Sequence, residues 1–377
     1  MTSTPNRQAD PGFAHARPDN SVEPASSLRR GLLALEERID RWSAGRRRRR
    51  GRTRPATVVP YAGYAHSDGC LAMGRVMELP REWTPEETDG RLANLRGVGA
   101  LFATHEIAHA GVLLRHWGGE TLATSDAEGY LRETVPAPDA PALTCWDTLT
   151  ATLQDGEREA EPGDAVELPI LRVGTSARFA VVSDIDDTVM RTGAENLARN
   201  LWTTFTGNPL TRQVYEHVPA LYRALARHEG RRTNPIFYLS SSPWNLYGVI
   251  HDVLERNGVP WGPIFLRDFG FDETKFIKST HGDHKLTEAR RLMESLDGLP
   301  FLLIGDLGQA DAEIYAELAR RRPDQVMGVI VHQPSQRLHE QKRRHIEEIE
   351  ALGIPVLVTT DYSEADDFAR SHGWIDR

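Results

Sequence analysis

The sequence predicts an α/β protein. A mostly parallel sheet wrapped by helices is expected from residue 174 to residue 377, preceded by a small β-sandwich over 56–173 and a basic segment over 1–55. Three observations predict this. From about Arg178 onward, short apolar runs alternate with helical stretches, the order that builds a parallel sheet. Between Thr57 and about Val173 the signals are several short strands divided by turn residues, as in a sandwich. Before Thr57 the chain is polar and Arg-rich, with one helix-like stretch.

That N-terminal stretch is specific. Residues 1 to about 24 are polar and without periodicity, and read as disordered. Leu28, Leu32, Leu35, Ile39 and Trp42 then recur at spacings of four and three, which lines one face of a helix. Arg46 to Arg50 follow without interruption, with Arg52 and Arg54 just beyond. An apolar face beside a basic block suits peripheral contact with an anionic membrane through residues 28–54. The plainer alternative is a short packed helix with a solvated basic linker. No base-reading motif accompanies the arginines, so no nucleic-acid partner is expected.

In the middle segment the expected strands are Thr57 to Tyr61, Leu71 to Val76, Val112 to Trp117, Trp146 to Leu153 and Val166 to Leu171. Ser125 to Tyr130 reads as a turn into another strand, and the stretch from Pro85 to Ala110 as irregular or partly helical. In the last segment the strands are Phe179 to Ser183, Ile236 to Leu239, Pro263 to Leu266, Phe301 to Ile304, Val326 to Val331 and Pro355 to Val358. Helices are expected over Trp244 to Arg256, Leu286 to Leu296, Ala312 to Arg321 and Arg337 to Ala351.

Composition narrows the class. The 377 residues are 40% hydrophobic and 26% charged, the balance of a globular protein, with a net charge of -9 despite the basic N-terminal segment. Two cysteines, Cys70 and Cys145, do not make a disulfide framework, and two free thiols in a reducing cytoplasm is the simpler reading. No apolar run is long enough to span a bilayer, and the first twenty residues lack the apolar core of a secretory signal. The expected location is cytoplasmic, with membrane contact at most peripheral.

The chemistry gathers where the strands end. Asp184-Ile185-Asp186-Asp187-Thr188 follows the apolar run Phe179 to Val182. Alternation along an extended chain sends Asp184 and Asp186 to the same side. Two carboxylates so close repel unless a cation neutralises them or one keeps a proton, and a hard oxygen-seeking ion such as Mg²⁺ suits them. Asp187 turns the other way and is expected to be structural. Three further stretches share the strand-end placement: Tyr238 to Trp244, His284-Lys285 at the opening of a helix, and Leu303 to Asp311. Phosphoryl transfer needs a nucleophile, a proton donor, a metal and fixed positive charge. Asp184 fits the nucleophile and Asp186 the acid/base, Asp306 adds a metal carboxylate, and Lys285 can neutralise both Asp184 and the phosphoryl group. Ser240 is expected to donate to a phosphoryl oxygen. Ser242, followed by Pro243, reads as a helix N-cap.

The four stretches resemble the four motifs of the haloacid-dehalogenase-type phosphohydrolases. More narrowly, SDIDDTVMRTG, FYLSSSPWNLY and LIGDLGQADAEIY resemble the catalytic domain of the actin-patch-protein-type phosphatidate phosphatases, in particular bacterial relatives with a β-rich domain ahead of it. The resemblance implies a haloacid-dehalogenase-like Rossmannoid fold and Mg²⁺-dependent hydrolysis of phosphatidic acid to diacylglycerol and phosphate. It assigns Asp184 as nucleophile and Asp186 as acid/base. Mg²⁺ would be held by the Asp184 carboxylate, the Asp186 main-chain carbonyl and the Asp306 carboxylate, with Asp311 supporting the metal. Thr188, Ser240 and Lys285 would hold the phosphoryl group. Ser241 stands where the family commonly has Asn, which leaves open which hydroxyl meets phosphate. The same chemistry on a soluble phosphomonoester is the alternative, as is an inactive domain that only binds a lipid surface.

His105-Glu106-Ile107-Ala108-His109 matches HExxH, a zinc-protease pattern when it lies on a helix. Gly111 and a strand-like run follow at once and no third ligand is signalled, so the expectation is a surface segment without metal.

Overall fold

Seven strands cover the first part of the chain: β1 (Ala56–His66), β2 (Gly69–Glu78), β3 (Gly111–His116), β4 (Gly119–Thr124), β5 (Tyr130–Val135), β6 (Cys145–Gln154) and β7 (Ala165–Arg172). The computed structural model describes residues 56–66, 69–78, 106–154, 165–190, 214–267, 281–333 and 340–376. The candidate helix and arginine run of residues 28–54 lie outside them, as do His105 and most of the stretch from Pro85 to Ala110.

The strands form one sheet rather than the two of a sandwich, in the order β4-β3-β6-β7-β1-β2-β5, with β1 and β7 parallel and the other pairs antiparallel. It must curl. Its edge strands β4 and β5 are joined by residues 125–129 alone, a span that reaches at most about 22 Å. A flat seven-stranded sheet would hold its edges about 29 Å apart. Curling puts one face inside, where Val58, Ala72, Val112, Ala123, Leu131, Leu149 and Leu168, one from each strand, share a core. Alternating burial looks the same in a curled sheet and in a sandwich, so sequence pattern does not separate them.

The chain then continues through β8 (Ala180–Asp184), α1 (Val218–Leu225), the two-residue strands β9 (Arg227–His228) and β10 (Arg231–Arg232), β11 (Ile236–Pro243), α2 (Tyr247–Arg256) and β12 (Ile264–Arg267). It ends with α3 (His281–Ser295), β13 (Phe301–Asp306), α4 (Asp311–Arg321), β14 (Val326–His332), α5 (Glu340–Ala351), β15 (Val356–Thr359) and α6 (Tyr362–Ser371). Six of these strands make a second sheet, β12-β11-β8-β13-β14-β15, in which every pairing is parallel. Renumbered from one, that order is 3-2-1-4-5-6, the doubly wound arrangement. The chain builds outward from β8 to one side and then restarts at β13 on the other, so the switch point lies between β8 and β13. Residues of β8, β11 and β13 are buried throughout, as expected for strands covered on both faces.

Residues 55–377 form one compact unit. Tyr61, Tyr64, Leu71, Met73 and Leu171 of the curled sheet belong to the same core as β8, β11 and β13. Tyr64 packs edge-on against Phe237 at 5.4 Å, and Arg132 makes two hydrogen bonds, of 2.7 and 3.2 Å, to the buried Glu288 of α3. Cys70 and Cys145 are free thiols, as expected.

Candidate active site

Asp184 is the last residue of β8, and the chain turns sharply beyond it. The Ile185 carbonyl accepts from the amides of Val189 and Met190 at 2.9 and 3.0 Å, and Asp187 takes φ 60°, a left-handed conformation that Asp tolerates better than most residues. The Asp187 carbonyl accepts from His332 Nδ1 at 3.2 Å. This turn brings Thr188 back over the strand end, where its hydroxyl donates to Asp184 Oδ2 at 3.0 Å.

Lys285 reaches the same point from α3. Its Nζ lies 2.6 Å from Asp184 Oδ1 and 2.8 Å from Asp311 Oδ1. The helix starts at His281, so Lys285 sits one turn inside it rather than at its opening. Burial alone would lower the Lys285 ammonium, but Asp184 and Asp311 outweigh it and hold the lysine above its ordinary range. Burial pushes the Asp184 carboxyl well above the usual carboxylate range; Lys285 opposes this, and Asp311, Asp306 and Asp186 add to it.

β13 supplies the other half of the site. Asp306 ends the strand and Asp311 opens α4, and Asp311 Oδ2 accepts from the Asp306 amide at 3.1 Å. That close approach needs Gly305: a Cβ there would stand 2.6 Å from Asp311 Oδ2. Asp306 Oδ2 accepts from the Gly308 and Gln309 amides, while its buried Oδ1 has no hydrogen-bond partner among the described residues. Carboxylate oxygens of Asp184, Asp306 and Asp311 lie within 4.8 Å of one another. An orphaned buried oxygen among three carboxylates, with only oxygen donors, fits a hard divalent cation. Without one, burial and the neighbouring Asp311 push the Asp306 carboxyl up to about 8, against the pull of Lys285 and the Gly308 amide.

That shift has a measurable consequence. In chelator, native Asp306 keeps its proton up to about pH 8, whereas the unfolded chain loses it near about pH 4. The native state binds more protons between those values, so stability falls as pH rises through the window. Asp184 shifts the same way, and Lys285 stays protonated throughout. Thermal melts in chelator are expected to drop between about pH 5 and about pH 8, and Asp306→Asn is expected to flatten the curve. A wild-type melting temperature independent of pH would contradict this.

Residues 179–333 match the family model for the catalytic domain of phosphatidate phosphatase APP1. The resemblance to the catalytic domain of the actin-patch-protein-type phosphatidate phosphatases is therefore borne out. All seven residues expected at the site, Asp184, Asp186, Thr188, Ser240, Lys285, Asp306 and Asp311, fall inside the matched stretch. Among curated proteins, the phosphatidate phosphatase APP1 of Saccharomyces cerevisiae is 26% identical over 153 residues, 41% of this chain and 25% of that protein. An uncharacterized protein of Schizosaccharomyces pombe is 29% identical over 167 residues, 44% of this chain and 26% of that protein. The chain thus spans about a quarter of the length of these relatives. A carbohydrate acetylesterase from Xanthomonas citri aligns over 81% of this chain and 69% of its own at 12% identity, with a TM-score of 0.30, too low to carry any argument.

Both outer serines of the second motif meet Asp186. Ser240 donates to Asp186 Oδ2 at 2.6 Å, and Ser242 donates to the same oxygen at 3.2 Å. Ser242 is not a helix N-cap: β11 runs on through Pro243, and the 3₁₀ turn Trp244–Leu246 has no side-chain cap. Pro243 pairs with Arg267 of β12 beyond a register shift, which keeps the segment extended. In the matched stretch, Gln309 is a site residue that sequence reasoning missed. Its side-chain amide donates to the Asp186 carbonyl at 2.9 Å, and its oxygen accepts from Lys285 Nζ at 3.3 Å. Its position between Asp306 and Asp311 was the available signal.

Outside the matched stretch, the described residues of the HExxH segment, 106–109, are not helical as a zinc site of that pattern needs. Glu106 bridges to Met77 in extended form, and His109 sits in a turn with φ 56°. Glu106 pairs with Arg75 at 2.9 Å. Among the described residues no helix is long and apolar enough to cross a membrane.

Proposed function

We propose that this protein hydrolyses phosphatidic acid to diacylglycerol and phosphate in a Mg²⁺-dependent reaction, through an aspartyl-phosphate on Asp184. The observation that carries the reading is the buried set at the switch point: Asp184 held between Lys285 and Thr188, with Asp306 and Asp311 beside it. On this reading an Asp184 oxygen attacks phosphorus. The bond to the glycerol oxygen breaks, and Asp186 gives its proton to that oxygen. Water then attacks the aspartyl-phosphate and yields its proton to Asp186, and the acyl-phosphate P–O bond breaks to release phosphate and restore Asp184. Lys285 and Thr188 hold the phosphoryl oxygens.

Mg²⁺ would be held by Asp184, Asp306 and the Asp186 carbonyl with Asp311 in support, and would supply positive charge against the phosphoryl oxygens. The Asp186 carbonyl accepts one hydrogen bond from Gln309 and keeps a second lone pair for a cation. The fold then reads as a haloacid-dehalogenase-like domain over 174–377 behind a β-rich domain. The location is read as cytoplasmic, with residues 28–54 making peripheral contact with anionic lipid.

A substrate panel with the intact protein tests the reading. Phosphate release is expected from phosphatidic acid in vesicles or micelles with Mg²⁺ and not with chelator. Turnover of soluble phosphomonoesters alone would move the substrate class and keep the chemistry, and no turnover of any phosphomonoester would overturn both. Deleting residues 1–54 is expected to weaken co-sedimentation with anionic vesicles while leaving hydrolysis of a short-chain soluble substrate intact. Equal sedimentation would remove the membrane role from this segment.

A further inference from the structure

The segment that carries Ser240 and Ser242 parts early from β8 while its end stays paired with β12. β11 pairs with β8 only as far as Leu239, opposite Asp184. Beyond that point the segment borders Asp186, and both serine hydroxyls hold one Asp186 oxygen. What fixes the following turn comes from the curled sheet. Trp244 stacks on Tyr61 of β1 with ring centroids 4.6 Å apart. The Tyr247 hydroxyl accepts from the Ala62 amide at 2.8 Å. That amide is free to donate because β1 bulges between Tyr61 and Tyr64, leaving Ala62 and Gly63 out of the pairing with β2, while Gly63 still pairs with Ile170 of β7. A Cβ at Gly63 would lie 2.0 Å from the Leu71 carbonyl oxygen, so the bulge requires glycine.

The most directional contact is made by Arg75 of β2. It is 4% exposed, and its guanidinium reaches three acceptors on three sides. Nη1 donates to Asn245 Oδ1 at 2.7 Å, Nη2 to Glu106 Oε1 at 2.9 Å, and Nε to the Glu128 carbonyl at 3.1 Å. Its flat face covers the Tyr130 ring at 4.3 Å. Such a fork has one orientation that makes all three of these bonds at once, whereas an ammonium group would pivot. Glu106, the acid of the HExxH segment, is thereby accounted for: it turns the arginine toward Asn245. Asn245 lies three residues after Ser242 and 170 residues after Arg75 in the sequence.

We propose that Arg75 is a positioning residue for the phosphatase reaction: through Asn245 it holds the Trp244–Leu246 turn, and so the two serines that orient the Asp186 carboxylate. The curled sheet is then a brace for the acid/base rather than a separate module. This rests on the reading of Asp186 as acid/base, and the brace itself has a readout that does not.

The test compares wild type with Arg75→Met, Arg75→Lys, Asn245→Ala and the Arg75→Met/Asn245→Ala double variant. In hydrogen exchange, Arg75→Met is expected to speed exchange at least about tenfold in peptides covering 240–247 and to leave those of β13 and α4 unchanged. In kinetics, each single variant is expected to lower kcat about ten- to a hundredfold with KM within about twofold. The double variant is expected to be no slower than the worse single one, because both break one link. Arg75→Lys is expected not to rescue kcat. Unchanged exchange over 240–247, or a kcat within about twofold of wild type in Arg75→Met, would overturn the brace. If Arg75→Met does not fold, Asn245→Ala carries the same exchange and kcat comparison. A wild-type protein that turns over no phosphomonoester would overturn the proposed function, while the exchange measurement would still decide the brace.

Discussion

Asp184→Asn is expected to abolish Mg²⁺-dependent phosphate release, by more than about a thousandfold, while leaving the melting temperature unchanged or higher. The two outcomes have one cause. The side chain is 1% exposed, accepts from Thr188 and faces Lys285, so an amide of the same shape fills the same space. As a carboxylate it is crowded by Asp311, Asp306 and Asp186 in a buried site that works against its charge. Removing the charge relieves that crowding and leaves Lys285 paired with Asp311. Loss of turnover with retained stability separates a nucleophile from a packing residue. Phosphate release with Mg²⁺ and a thermal melt on one preparation check both parts; retained turnover would remove Asp184 from the chemistry.

The strand-end rule made much of this site legible. Asp184 and Asp306 were predicted from apolar runs that stop at charged residues, Lys285 from the opening of a helix and Asp311 from the family resemblance, and the doubly wound order places the two strand ends side by side at β8 and β13. The failures share a physical character. Ser242 before Pro243 looks like a helix cap, because the pairing of Pro243 with Arg267 that keeps it in a strand is a contact across the sheet. β4 escaped notice because it is an edge strand whose apolar residues divide between faces: Ala123 is buried and Leu122 is 68% exposed. α6 carried a readable sign, since Asp361 caps it by accepting from the Ser363 amide. Gln309 and Arg75 act through partners 123 and 170 residues away, and no local pattern announces such partners.

Lys285→Met is expected to have the second large effect, and it strikes stability and activity together. Nζ is the cation between Asp184 and Asp311, and the lysine is 3% exposed. Removing one partner from a buried ion pair leaves the other charges uncompensated, which costs about 3–5 kcal/mol. The carboxylates can respond by binding protons or a divalent cation, so the loss is expected to be smallest at low pH or with Mg²⁺ present. Mg²⁺ therefore is expected to restore much of the melting temperature. It is not expected to restore phosphate release, because the fixed charge on the phosphoryl oxygens is gone; turnover stays down about a hundredfold or more. Lys285→Arg is no rescue, since a planar guanidinium cannot place one nitrogen 2.6 and 2.8 Å from two carboxylates in the space an ammonium occupies. Melting curves with chelator and with Mg²⁺, beside phosphate release, separate the two roles of the lysine. A methionine variant as stable as wild type in chelator would mean that Asp184 and Asp311 do not depend on this cation for their burial.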